Sequence, residues 1–358
     1  MTDFLVRRDD LRTWQATGGE ERATEAVAGA VQFRVERFGL TANNLTYGVF
    51  GDALGYWRFY PAADGWGRIP VWGFGEATAS GVEGVRPGDR FYGFWPMSTY
   101  VTLPGVADGT GFVASTAERA ELPATYNRYA RAVPEAGFVP EHDDAAALVL
   151  PLFRTGWLIA SHLAARAWHG AGTVVLTSAS SRTACATAAA LREHDDPLEL
   201  VGLTSSVNVA FTKRLGLYDR VLTYDEVADL PTDRGSVLVD VAGDADLRRR
   251  VHEVSRDVLR ASIMVGATHW RTATLAAEGL PGPAPEFFFA PSVGQERPAA
   301  LGPVAFARQL ADAWSTFADR LPAMIEIRHV SGVEELAAAH LAFVDGRADP
   351  ATGLIFTL

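Results

Sequence analysis

Residues Val174–Ala190 read VVLTSASSRTACATAAA, and the fold turns on this stretch. A short run of buried-strand residues, Thr173–Thr177, meets a turn of small and hydroxylated residues, and an alanine-rich run with helical character follows over Thr183–Glu193. A helix that starts straight after such a turn presents unpaired N–H groups and the positive end of its dipole. Dinucleotide-binding proteins fill this turn with G-x-G-x-x-G. Here Ser178, Ser180, Ser181, Arg182 and Thr183 occupy it, and glycine is absent. Small side chains still admit a phosphate, and hydroxyls with an arginine can bind one. Taken alone, the segment reads equally well as a serine-rich helix cap.

The rhythm continues downstream. Glu199–Leu203, Arg220–Thr223, Ser236–Val241 and Ala261–Gly266 are apolar strand-like runs, separated by helical spacing over Val207–Leu215 and Ala245–Leu259. This alternation predicts βαβ units and a parallel sheet covered on both faces. The second strand ends in Leu203-Thr204-Ser205-Ser206, without the Asp or Glu that holds both ribose hydroxyls of NADH. Such a site favours NADPH, with Arg182, Ser205, Asn208 and Lys213 as partners for the 2′-phosphate. Asp240-Val241-Ala242-Gly243 and Gly266-Ala267-Thr268-His269 end the next strands, so Thr204, Ala242, Gly266 and Thr268 fall along the same cofactor crevice.

Upstream the pattern is different. Val31–Phe38 alternates, with Val31, Phe33 and Val35 on one face, and turn residues are dense from Gly48 to Asp89. A small barrel or sandwich is expected over residues 1–105. Residues 105–140 read as an inserted loop. Asp143 and Asp144 open a helical stretch as a solvated start, and Pro151 is expected to break it. The chain closes with a strand, a helix and a strand that do not extend the parallel sheet.

The chain has 358 residues, enough for about two domains. Lys plus Arg number 32 against 43 Asp plus Glu, a formal charge of −11, which argues against nucleic acid and anionic membrane as partners. The one cysteine, Cys185, makes neither an internal disulfide nor a cysteine-rich zinc site. The charged Met1–Asp10 stretch lacks a signal-peptide core, and Ala145–Ala167 carries Pro151, Arg154 and His162, so it reads as a core helix. A cytoplasmic protein is the expectation.

In addition, the strings LTYGVFGDALGYW, IPVWGF, GDRFYGFWPM, SASSRTA, GLTSSVN and VGATHW resemble the bacterial DUF2855 family, over nearly the full length. The order of motifs resembles a zinc-independent, quinone-oxidoreductase-like branch of the medium-chain dehydrogenases/reductases. Ala42-Asn43-Asn44-Leu45-Thr46 is similar to the V-N-x-x-D segment, Arg86–Arg90 to the G-D turn of the GroES-like barrel, and Leu150–Trp157 to the G-L-T-A helix start. The resemblance implies an α/β fold of a GroES-like β-barrel catalytic domain (1–147), a Rossmann domain with a doubly wound parallel sheet (148–318), and a return to the first domain (319–358). It also implies Thr155 near the nicotinamide, a homodimer, no zinc because Thr46 replaces a ligand cysteine, and a small-molecule substrate in an interdomain cleft.

A reductase of this kind needs a proton source beside an aligned hydride donor. Tyr47 is the first candidate, with Asn44 and His269 as its catalytic companions. Tyr56, Tyr92, Tyr126, Trp57, Trp95 and Met97 are candidate pocket residues for a planar apolar ligand, with Arg154 as a clamp. Each aromatic also fits an ordinary packed core. His162 and His169 make a poor metal pair without a third ligand. The reading is an NADPH-dependent reductase of enones, enoyl thioesters or quinone-like carbonyls. A non-redox lyase or isomerase, or a binding protein with lost cofactor affinity, stands as the alternative.

Overall fold

The computed structural model describes residues 1–358 except 24, 64, 266–278, 291 and 295–301. It divides into two compact units, Met1–Leu148 with Ile325–Leu358, and Val149–Met324.

In the first unit, strands Ala30–Leu40, Val71–Ser80, Arg90–Trp95, Arg128–Arg131, Gly111–Ala114 and Tyr100–Ala107 pair in that order, and the last pairs back onto Ala30–Leu40. The sheet is therefore a closed barrel, with no free edge along this circuit. The alternation in Val31–Phe38 points Val31, Phe33 and Val35 inward, and the Phe33 ring lies 5.1 Å from Trp95 and 5.4 Å from Phe112. The terminal strands Glu326–Ser331 and Thr352–Thr357 extend the same sheet beside Ala30–Leu40. A smaller sheet joins Thr2–Arg7 to Trp14–Gly18 and Trp66–Gly67.

Three expectations are corrected here. Residues 105–140 are not merely an inserted loop, since Gly111–Ala114 and Arg128–Arg131 supply two barrel strands. The helix Asp143–Ala164 runs unbroken through Pro151. Proline removes one helical N–H and crowds the Ala147 carbonyl, and Gly39 packs at that carbonyl, where a Cβ would come within 2.5 Å of the oxygen. The helix start is pinned rather than solvated. Asp143 pairs with Arg90 at 3.0 Å, and Asp144 with Arg37 at 3.2 Å and His329 at 2.7 Å. By length and composition the helical stretch Pro140–Ala164 could span a bilayer, but 67% of its most apolar window is buried in the protein.

The second unit holds a parallel sheet in the order Arg220–Thr223, Glu199–Thr204, Thr173–Leu176, Ser236–Asp240, Leu259–Met264 and Glu286–Phe287. Helices Arg182–Arg192, Val209–Arg214 and Ala245–Ser255 connect the strands, and apolar side chains are buried on both sheet faces. The alanine-rich composition of Arg182–Arg192 has a packing reason. At Gly156 a Cβ would stand 2.5 Å from the Thr187 nitrogen, so two helices touch through small residues.

Just before the first strand, Ala167, Trp168 and His169 adopt φ of 47°, 55° and 53°, ahead of Gly170 at 70°. Three consecutive non-glycine residues in this region cost about 1–2 kcal/mol each, offset in part by the burial of Trp168. Ala167 is exposed, so Ala167→Gly is expected to stabilise this unit by about 1 kcal/mol in denaturant unfolding. A loss of stability would show that the left-handed turn carries no strain.

Candidate functional site

The parallel-sheet unit builds one candidate site at the carboxyl ends of its strands. Ser178 takes a left-handed φ of 53°, the conformation a glycine usually supplies in a tight turn. The turn is held down by the Ala179 N–H to Leu203 carbonyl bond (2.9 Å) and by the Tyr218 hydroxyl on the Ala179 carbonyl (2.9 Å). Gly202 permits this, since a Cβ there would meet that of Ala179 at 2.8 Å. Tyr224, pushed up to about 12 by burial, bonds to Ser178.

Ser181 caps the helix Arg182–Arg192 by accepting the Ala184 N–H at 3.3 Å, and Arg182 and Thr183 form its first turn. The Ser180 hydroxyl oxygen accepts from Thr204 Oγ1 at 3.2 Å and from Asn208 Nδ2 at 3.1 Å. It thereby draws the end of the second strand to the loop and keeps its own proton to donate outward. Ser205 is half-buried beside them. Cys185 is buried, its thiol is pushed up to about 12 by desolvation, and its sulfur donates to the Ala179 carbonyl.

Behind this loop lies a network centred on Thr177. Its hydroxyl donates to Asp240 Oδ1 at 2.7 Å and accepts the N–H groups of Val241 and Ala242 at 2.9 Å each. Asp240 also takes the Gly243 N–H and the Arg248 guanidinium, at 3.0 and 2.9 Å, and both charged side chains are 1% exposed. The turn beside Ala242 is thus fixed by an ion pair buried under it. Thr155 donates to the Pro151 carbonyl at 3.0 Å, and Arg154 is half-buried on the same helix. His269, Gly266 and Thr268 lie outside the described residues.

The loop suits the diphosphate of a dinucleotide. It combines a capped helix start, small side chains packed as closely as Gly202 allows, and hydroxyl donors with no carboxylate at the end of the second strand. No three His, Cys, Asp or Glu side chains gather as a metal-ligating group among the described residues.

The barrel unit builds the second site. On the helix Ala42–Val49, Asn43 and Tyr47 share a face at a spacing of four. The Tyr47 hydroxyl oxygen accepts from Asn43 Nδ2 at 2.7 Å and from Trp72 Nε1 at 3.1 Å. Both lone pairs are then used, and the phenol proton is left to donate. Burial raises the Tyr47 pKa, so the group stays protonated. Asn44 has a different task. Its Oδ1 accepts the Thr41 N–H at 2.8 Å and its Nδ2 donates to the Pro70 carbonyl at 2.9 Å, which caps the helix and ties it to the barrel.

Tyr47 packs against Tyr56 at 4.7 Å, Phe94 at 5.0 Å and Tyr126 at 6.3 Å. Tyr92 stacks on Trp72, with its hydroxyl on the Ala146 carbonyl at 3.1 Å. Trp95 and Met97 have no exposed surface and pack in the barrel core, while Trp57 lies under Gly51 and Gly67. Asn43 and Thr177 were not singled out as functional groups from the sequence. The spacing of four between Asn43 and Tyr47 is the signal that could have found the first of them.

Among solved structures, this chain is similar to CurA from Vibrio vulnificus, crystallised with NADPH, at 12% identity and TM-score 0.63, covering 100% of this chain and 99% of that one. It is similar to Escherichia coli quinone oxidoreductase, complexed with NADPH, at 12% identity and TM-score 0.58, with 100% of both chains covered. A putative NADPH:quinone reductase from Bacillus thuringiensis matches at 13% identity and TM-score 0.58, over 100% and 98%. These likenesses establish the GroES-like barrel with a Rossmann unit. No curated protein matches the chain. The model of a protein family of unknown function, DUF2855, matches residues 38–349, and the chain belongs to that family, a divergent one on the medium-chain dehydrogenase/reductase fold.

Proposed function

We propose that this chain is an NADPH-dependent oxidoreductase that reduces enones, enoyl thioesters or quinone-like carbonyls, with Tyr47 as the proton donor. The observation that carries the reading is the buried Tyr47 hydroxyl, whose oxygen is filled by Asn43 and Trp72 and whose proton is left to give. The same fold in solved relatives holds NADPH. When bound, NADPH supplies the hydride. Ser178, Ser180, Ser181, Arg182 and Thr183 would hold its diphosphate, and Arg182, Ser205 and Asn208 its 2′-phosphate. Asn43 and Trp72 orient the phenol, and the aromatic walls keep water from it.

The test is turnover of a panel of enones, enoyl thioesters and quinones followed by loss of nicotinamide absorbance. Oxidation of NADPH on at least one class is expected; binding of NADPH without turnover on any class would overturn the reading. Ser205→Asp places a carboxylate where the 2′-phosphate is assigned. It is expected to shift preference from NADPH toward NADH by about tenfold or more, measured as the ratio of kcat/KM values.

A further inference from the structure

The hydroxyls of Tyr56 and Tyr126 lie 3.2 Å apart and bond to one another, and no other partner among the described residues reaches either. A pair of phenols joined by one hydrogen bond has one O–H to spare. Tyr47 adds another, since its oxygen accepts twice. The three residues are 5%, 8% and 4% exposed, so the unspent donors are nearly buried. Among the described residues no carboxylate acts on them. Burial keeps all three phenols neutral, and repulsion from the neighbouring phenols adds to it at Tyr47 and Tyr126. A buried donor without an acceptor is costly, and a region of donors alone is complementary to a ligand atom that only accepts.

The charge behind the cluster has the matching sign. Arg119 is 1% exposed, and its guanidinium donates to the Phe59 carbonyl at 3.1 and 2.7 Å and to the Tyr129 hydroxyl at 3.1 Å. No described carboxylate pairs with it. Its charge lies 5.5 Å from the Phe59 ring, which in turn packs 5.5 Å from Tyr126 and 6.3 Å from Tyr56. The Glu118 carboxylate that feels this charge lies on the surface, and a buried cation bonded only to neutral groups favours negative charge nearby.

We infer that Tyr56 and Tyr126 open their mutual bond and both donate to one substrate oxygen, forming a phenolic oxyanion site backed by Arg119. For catalysis this rests on the reductase reading. Addition of hydride to the carbon skeleton, with NADPH oxidised to NADP⁺, pushes a π pair onto that oxygen. The enolate or quinol oxygen so formed is what two fixed O–H donors stabilise. The substrate class this selects is a planar conjugated carbonyl with no proton on the bound oxygen.

The test uses the full-length chain without NADPH. 4-Nitrophenol is titrated in and binding of its anion is followed by visible absorbance, with 4-nitrotoluene as the partner lacking the oxygen. The wild type is expected to bind the anion. Tyr56→Phe and Tyr126→Phe are each expected to weaken it by about 10- to 100-fold and to change 4-nitrotoluene affinity by less than about twofold. If Tyr56→Phe does not fold, as judged by its melting transition, Tyr126→Phe carries the same expectation at the other end of the bond. Anion binding absent in the wild type, or unchanged in the folded variants, would overturn the inference. Because the assay holds no nicotinamide, loss of the reductase reading would leave this result standing, and the reverse.

Discussion

Tyr47→Phe is expected to lower kcat for NADPH-linked reduction by about 10²- to 10³-fold, the range for loss of a positioned acid, with the Kd for NADPH within about twofold of wild type. The ring remains, so its contacts with Tyr56 and Phe94 persist. The proton goes, and Asn43 and Trp72 lose their acceptor. The buried Trp72 donor left without a partner costs stability as well, about 1–3 kcal/mol, so rates are compared below the melting range. Asn43→Ala separates the two effects. It keeps the phenol and removes one of its orienting bonds, and a smaller fall in kcat is expected. The raised Tyr47 pKa also sets a pH dependence. A raised value keeps the donor protonated, so no decline in kcat from this group is expected between about pH 6 and about pH 9. A Tyr47→Phe variant with wild-type kcat would remove Tyr47 from the chemistry.

The second large effect is on stability. Arg248→Met is expected to destabilise the parallel-sheet unit by about 3–5 kcal/mol, because it leaves the Asp240 carboxylate buried without its cation. Asp240 keeps the Thr177 hydroxyl and the Gly243 N–H, which cannot replace a charge. The double variant Asp240→Asn with Arg248→Met removes both charges and is expected to recover more than half of the loss in denaturant unfolding. Additive losses would show that the two side chains act independently. The pair lies under the turn that carries Ala242, so the single variant is expected to weaken NADPH binding too.

How much of this was legible in the sequence follows from residue chemistry. Continuous apolar strands such as Thr173–Leu176 and Ser236–Asp240 announced a sheet buried on both faces, and Val31–Val35 announced a half-buried strand of a barrel or sandwich. Gly111–Ala114 and Arg128–Arg131 did not announce themselves. Four residues are too few to show alternation, and their strand character comes from partners far along the chain. Pro151 misled because local propensity ends helices at proline, whereas packing against Gly39 and a 22-residue run carried this one through. Of the adjacent asparagines, Asn44 was the expected companion of Tyr47 but caps the helix, while Asn43, at the motif's N position, reaches Tyr47. Arg119 gave no signal, since a charged residue in a turn-rich segment reads as exposed until the aromatic rings around it are known.

We propose that a serine-lined loop, with Ser178 in the left-handed conformation and Ser180 tied to Thr204 and Asn208, serves NADPH in place of a glycine motif. Titration of NADPH and NADH into the protein, followed by tryptophan quenching and nicotinamide fluorescence, tests it most directly. Saturable binding of NADPH, at least about tenfold tighter than NADH, is the predicted result. No binding of either nucleotide would contradict it.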